Sequence, residues 1–86
     1  MASYSITIAK SAEKELAKLP IDVIDRIQLA VNALAIEPRP TNCKKLKGFK
    51  NLYRIRSGDY RIVYSIEDQV LSIEVVRIGN RKDIYS

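Results

Sequence analysis

The apolar residues of this chain change their spacing once, and that change restricts the fold to helices followed by an antiparallel sheet. Between Ala12 and Leu34 they recur every three or four residues, whereas between Leu52 and Ile78 they alternate with polar residues or run together. The first spacing lines one face of a helix and the second one face of a strand. Tyr4 to Ile8 alternates and is rich in β-branched types, which predicts a short strand ahead of the helices. Ser11 is placed to cap a first helix carrying Ala12, Leu16 and Leu19, and Pro20 suits the first turn of a second better than the interior of one long helix. In that second helix Ile24, Ile27, Val31 and Leu34 form the apolar stripe, broadened by Val23 and Ala30, and Pro38 and Pro40 close it. Residues 41 to 51 are polar and basic and read as a loop. Leu52 to Arg56 and Asp59 to Ile66 read as strands flanking a Ser57-Gly58 turn, and Val70 to Ile78 as a third strand beyond a turn at Glu67 and Asp68. The order β-α-α-β-β-β is that of an α+β fold, with the helical hairpin on one face of an antiparallel sheet and the other face open.

Residues 1 to 86 form one domain, since a chain this short builds a single modest core. Cys43 stands alone and there is no histidine, so neither a disulfide framework nor a zinc site is expected, and no cofactor is foreseen. No apolar run approaches the roughly 20 residues that cross a bilayer, and Met1 to Tyr4 does not open like a secretory leader, so the expected location is the cytoplasm, with no membrane partner.

The charge is concentrated. Residues 39 to 61 hold Arg39, Lys44, Lys45, Lys47, Lys50, Arg54, Arg56 and Arg61 against Asp59 alone, while both flanking segments are nearly neutral. A block of this kind fits a polyanion, because each cation set against a phosphate releases condensed counterions; a solubilising face is the plainer alternative. A Ser57-Gly58 turn would place Arg56 opposite Asp59 and Arg54 opposite Arg61. Tyr53, Ile55, Tyr60, Ile62 and Tyr64 would then face the helices, and the three arginines would share the open face. Arg56 could instead be spent on an ion pair with Asp59. Like charges directly opposite one another cost up to about 1 kcal/mol, so an arginine pair makes better sense around an anion, and the guanidinium fork suits phosphate. The third strand would end beside the start of the second, bringing Arg81 and Lys82 toward the same place. RNA cleavage by the ribose 2′-hydroxyl needs a base, an acid and donors to the phosphorane. The donors are present, while proton transfer is left to Tyr85, to a lysine such as Lys82, or to the substrate.

Ser11-Ala12, Lys14, Leu16 and Lys18-Leu19-Pro20, then Leu46-Lys47-Gly48, then Tyr53-Arg54-Ile55-Arg56, Gly58 and Asp59-Tyr60-Arg61-Ile62-Val63-Tyr64, and finally Ile78-Gly79-Asn80-Arg81-Lys82-Asp83-Ile84-Tyr85, taken in order, resemble the RelE/ParE superfamily of toxins. The resemblance spans nearly the whole chain. It implies a microbial RNase-like fold and a type II toxin–antitoxin pair, a hetero-oligomer in which an antitoxin, acidic and partly disordered when free, wraps the toxin. For RelE-like members it also implies metal-independent cleavage of mRNA on the ribosome, which blocks translation. By position, Arg54 and Arg56 stand where family lysines polarise the scissile phosphate, and Arg61 matches the arginine that stabilises the transition state. Arg81 matches a second arginine or general acid, Tyr85 a tyrosine that stacks or acts as base, and Lys44, Lys45, Lys47, Lys50 and Lys82 would bind RNA backbone. Two departures stand out: arginine at 54 and 56 gives up a lysine's acid–base capacity, and Asn80 stands where many relatives carry histidine. ParE-like members inhibit DNA gyrase by binding alone, which makes that the rival reading. A passive RNA-binding domain is a third, and it would display stacking tyrosines beside the arginines.

Overall fold

The protein's computed structural model describes residues 3–80. Strand β1 (Ser5–Ile8) is followed by helices α1 (Lys10–Ala17) and α2 (Ile21–Ala33), and then by strands β2 (Lys44–Lys45), β3 (Leu52–Ser57), β4 (Tyr60–Glu67) and β5 (Ser72–Asn80). They build one five-stranded sheet in the order β1-β5-β4-β3-β2. The pairs from β2 to β5 are antiparallel, and β1 runs parallel to β5 with Ser5 beside Ser72 and Ile8 beside Val75. Two helices on a mixed sheet give the α+β class that the change in apolar spacing requires, and the parallel outer strand is an addition to it. Among the described residues no helix is long and apolar enough to cross a membrane.

Helix α1 starts one residue before Ser11, and the capping position is Ala9, in extended backbone, so Ser11 does not cap it. Pro20, also extended, precedes α2 and separates the helices, as a residue with fixed φ and no N–H donor does best. Ala12 and Leu16 from α1 and Ile27, Val31 and Leu34 around α2 are buried against Ile55, Ile62, Tyr64, Ile66, Ile73, Val75 and Ile78 of the sheet. Leu19, Val23 and Ile24 flank that core. The Tyr64 phenol donates to the Pro38 carbonyl at 2.7 Å and so pins the segment after α2 to the sheet. A second tie lies on the surface. Arg39 grips Asp68 with both terminal nitrogens (3.2 and 2.8 Å) and lies over the Tyr53 ring, while Tyr4 donates to the same carboxylate at 2.7 Å. Arg39 first, and Tyr4 second, hold the Asp68 carboxyl below its ordinary range.

Several boundaries depart from the sequence reading. Lys44–Lys45 pairs with Tyr53 and Arg54 as a two-residue edge strand inside what reads as loop. The segment Asp68–Val70 is a 3₁₀ turn and Leu71 has φ +50°, so the last strand begins at Ser72. Strand β5 also carries a bulge: Val63 faces Arg77 but Tyr64 faces Val75, leaving Val76 as the extra residue. Strict alternation would have sent Val75 and Ile78 to opposite faces; the bulge turns both into the core.

Candidate functional site

The two-residue turn between β3 and β4 is Gly58-Asp59, not Ser57-Gly58. Ser57 pairs with Tyr60, Arg56 with Arg61, Ile55 with Ile62 and Arg54 with Val63. Gly58 has φ +61°, which a primed hairpin turn demands and a side chain resists. The register therefore differs by two residues from the expected one, and a slip of two preserves faces where a slip of one would exchange them. Arg54, Arg56 and Arg61 still share the face away from the helices, and Tyr53, Tyr60 and Tyr64 contribute to the core side. What changes is the pairing. Arg56 stands opposite Arg61 and not opposite Asp59.

The arginine face is not fully open, as the sequence reading had it. Arg54 is 7% and Arg61 5% exposed, and the Nε of both and the Nη1 of Arg61 are shut off from solvent. Arg56 is exposed. Segment Leu46 to Phe49 folds over this side, where Leu46, Phe49, Leu52, Val63 and Val76 line a groove of about 400 Å³ beside Arg54. Guanidinium groups laid against the sheet are oriented before any ligand arrives, and their pull on an anion is screened less there than in bulk water.

The ladders extend the site sideways. Lys44, Arg54, Val63 and Arg77 are successive partners across β2, β3, β4 and β5, and the next row on the same face is Arg56, Arg61 and Gly79. Rows on one face are about 7 Å apart along the strands. Lys44 thus joins the arginines, whereas Lys45, opposite Tyr53, belongs to the helix face. Lys47 lines the groove and Lys50 is exposed beyond it. Arg39, part of the basic block, is tied to Asp68 and Tyr53 and takes no place in the rows. Strand β5 ends at Asn80 beside Tyr60, so the chain leaves the sheet next to the Arg56–Arg61 row, as expected. Arg81, Lys82 and Tyr85 lie outside the described residues.

Two residues escape a reading of the sequence. Arg77 reaches the arginine face because of the bulge at Val76; by alternation from Ile73 and Val75 it would belong to the core side. Glu15, on α1, accepts from the Ile78 backbone N–H at 2.9 Å and pairs with the Arg77 Nε at 3.2 Å. Strand β1 ends at Ile8, beside Val75, so this carboxylate serves the part of β5 that β1 no longer covers.

Comparison with known proteins agrees with this architecture. The model of the family described as ParE toxin of the type II toxin–antitoxin system, parDE, matches residues 6–85. The toxin RelE3 of Methanocaldococcus jannaschii is 32% identical over 84 residues, 93% of either chain. The mRNA interferase toxin RelE of Escherichia coli is 30% identical over 88 residues, covering 98% of this chain and 92% of its own. Among solved structures, the toxin of the archaeal RelE–RelB complex from Pyrococcus horikoshii superposes with a TM-score of 0.82 at 32% identity, covering 92% of this chain and 96% of that one. The chain belongs to the RelE/ParE superfamily of type II toxins, on its RelE-like branch.

Proposed function

We propose that this toxin cuts messenger RNA on the ribosome, with the 2′-hydroxyl of one nucleotide attacking the adjacent phosphate to form a 2′,3′-cyclic phosphate as the bond to the 5′-oxygen of the next nucleotide breaks and that oxygen leaves, protonated, as a hydroxyl. The observation that carries the reading is the pairing of Arg56 with Arg61 in the ladder, with Arg54 on the same face one row away. Cations set directly opposite one another repel, and a phosphate between them turns that cost into binding. Exposed Arg56 meets the substrate first; Arg61 and Arg54, held against the sheet, supply donors to the charge that grows on the phosphorane. The resemblance assigns Arg81 a second donor or acid role and Tyr85 stacking or base catalysis. Lys44, Lys47 and Lys50, with Lys82, hold the RNA backbone, and the ribosome supplies the positioning that this small site lacks. The cytoplasm is where such a toxin meets its target. The relative from E. coli is named an mRNA interferase, which supports the reading.

The same site implies its inhibitor. The P. horikoshii relative is in complex with RelB, and an acidic antitoxin covering the cationic face of the present chain would neutralise it. The ParE description of the matched family keeps gyrase inhibition by binding as the second reading. One assay separates them: cleavage of a defined mRNA, free and on ribosomes with an empty A site, by wild type, Arg61→Ala and Arg81→Ala. The expected result is ribosome-dependent cutting, slowed roughly 100-fold or more by the loss of either donor. Intact mRNA on ribosomes together with inhibited gyrase would sink the nuclease reading and leave the second.

A further inference from the structure

We propose that the groove beside Arg54 is a nucleobase subsite, with Phe49 as its stacking platform, and that it holds a base next to the phosphate bound by the arginines. The proposal rests on the nuclease reading and adds to it a place where substrate sequence is sensed.

Phe49 is the only phenylalanine of the chain, stands between Lys47 and Lys50, and is 56% exposed. An aromatic ring left in water amid cations is the arrangement with which proteins hold unpaired bases, the ring taking the base face and the cations the backbone. Gly48, at φ +85° with nothing within 4 Å of where a Cβ would stand, makes the turn that offers the ring. Leu46, Leu52, Val63 and Val76 floor the groove, and its volume of about 400 Å³ is in the range of small-molecule sites. Lys47, Arg54 and Arg77 supply its charge. These three side chains only donate, so the rim favours a base that presents acceptors, as guanine does with O6 and N7. Arg54 lines the groove and also lies one row from the Arg56–Arg61 pair, so one nucleotide could place its phosphate on the arginines and its base against Phe49. An acidic peptide with an apolar anchor is the competing occupant. The lone aromatic ring interleaved with lysines favours RNA.

The chain contains no tryptophan, so Phe49→Trp introduces a single reporter at the groove, on an exposed position that tolerates it. Its fluorescence would be followed while short oligonucleotides with 2′-deoxy sugars, which cannot supply the attacking hydroxyl, are titrated in. The expected result is quenching by base-bearing tetranucleotides, at a concentration tenfold or more below that required by abasic tetranucleotides of equal charge. Equal responses, no response, or a response only to an acidic amphipathic peptide would each overturn the subsite. A second measurement compares cut-site profiles on ribosomes: Phe49→Ala should flatten base preference and Phe49→Tyr should restore it. If wild type cuts nothing there, the nuclease reading fails; if it cuts and Phe49→Ala leaves rate and profile unchanged, only the subsite fails.

Discussion

At the scale of single residues, Tyr64 joins parts of the molecule that are distant in sequence. Its ring is buried in the core and lies 6.1 Å from that of Tyr53, and its hydroxyl reaches the Pro38 carbonyl. Burial first, and the neighbouring Cys43 second, push its ionisation well above the usual phenol value of 10.0. Because the folded chain keeps this phenol neutral, its stabilising share is present in full below about pH 10 and is lost as the pH rises from there, where the unfolded chain ionises and the folded one does not. Unfolding curves taken between pH 8 and 11 should show a falling stability in wild type and a flatter one in Tyr64→Phe. At neutral pH that substitution should cost about 1–2 kcal/mol for the lost hydrogen bond and the stranded carbonyl. A variant with an alkaline limb as steep as that of wild type would assign the effect to other groups. Arg54, Arg56 and Arg61 keep a common face under any slip by an even number of residues, so moving the turn to Gly58-Asp59 altered their partners but not their side of the sheet. The burial of Arg54 was not legible, because Leu46, Lys47 and Phe49, which line the groove beside it, lie in a segment with no periodic pattern.

Elements whose pattern repeats were readable, and those that depend on a single event were not. Ala12 and Leu16, and then Ile27, Val31 and Leu34, announce two helices because each is one stripe at constant spacing. Strand β2 has only two residues, both exposed lysines, and shows no alternation to detect. The parallel pairing of β1 with β5 joins segments at opposite ends of the sequence, and no local pattern encodes it. The bulge at Val76 is one inserted residue, and it reverses the side assigned to Arg77. Glu15 secures the strand just beyond that bulge, binding the Ile78 N–H and the Arg77 guanidinium. A hydrogen bond from a backbone N–H to a carboxylate is worth roughly 1.5–3 kcal/mol, and the partial exposure of Glu15 argues for the lower end. Urea unfolding of Glu15→Ala should show about 1–2 kcal/mol lost with an unchanged denaturant slope, and Glu15→Gln should recover most of it. Equal losses in both would mean that the Arg77 ion pair, and not the bond to β5, holds the strand end.

Across the whole molecule the decisive property is how the sheet sorts the basic block. In the sequence Lys44 and Lys45 are indistinguishable, adjacent and equally cationic, and both fall among the expected RNA contacts. The ladder separates them: Lys44 continues the row of Arg54 and Arg77 on the arginine face, and Lys45 continues the row of Tyr53 and Tyr64 on the helix face. Screening at physiological salt decays over about 8 Å, so an exposed charge on the far side of the sheet adds little to the hold on a phosphate. Removing one contact with single-stranded nucleic acid should reduce the dependence of log K on log salt by about 0.7. Binding of a 2′-deoxy-blocked RNA oligonucleotide, measured over a series of salt concentrations, should therefore show that reduction for Lys44→Ala and none for Lys45→Ala. The two variants change net charge and composition equally, so a diffuse cloud of positive charge would make them behave alike. Equal slopes would show that the block acts by total charge alone, and would remove the argument that one face of this sheet is built for a phosphate backbone.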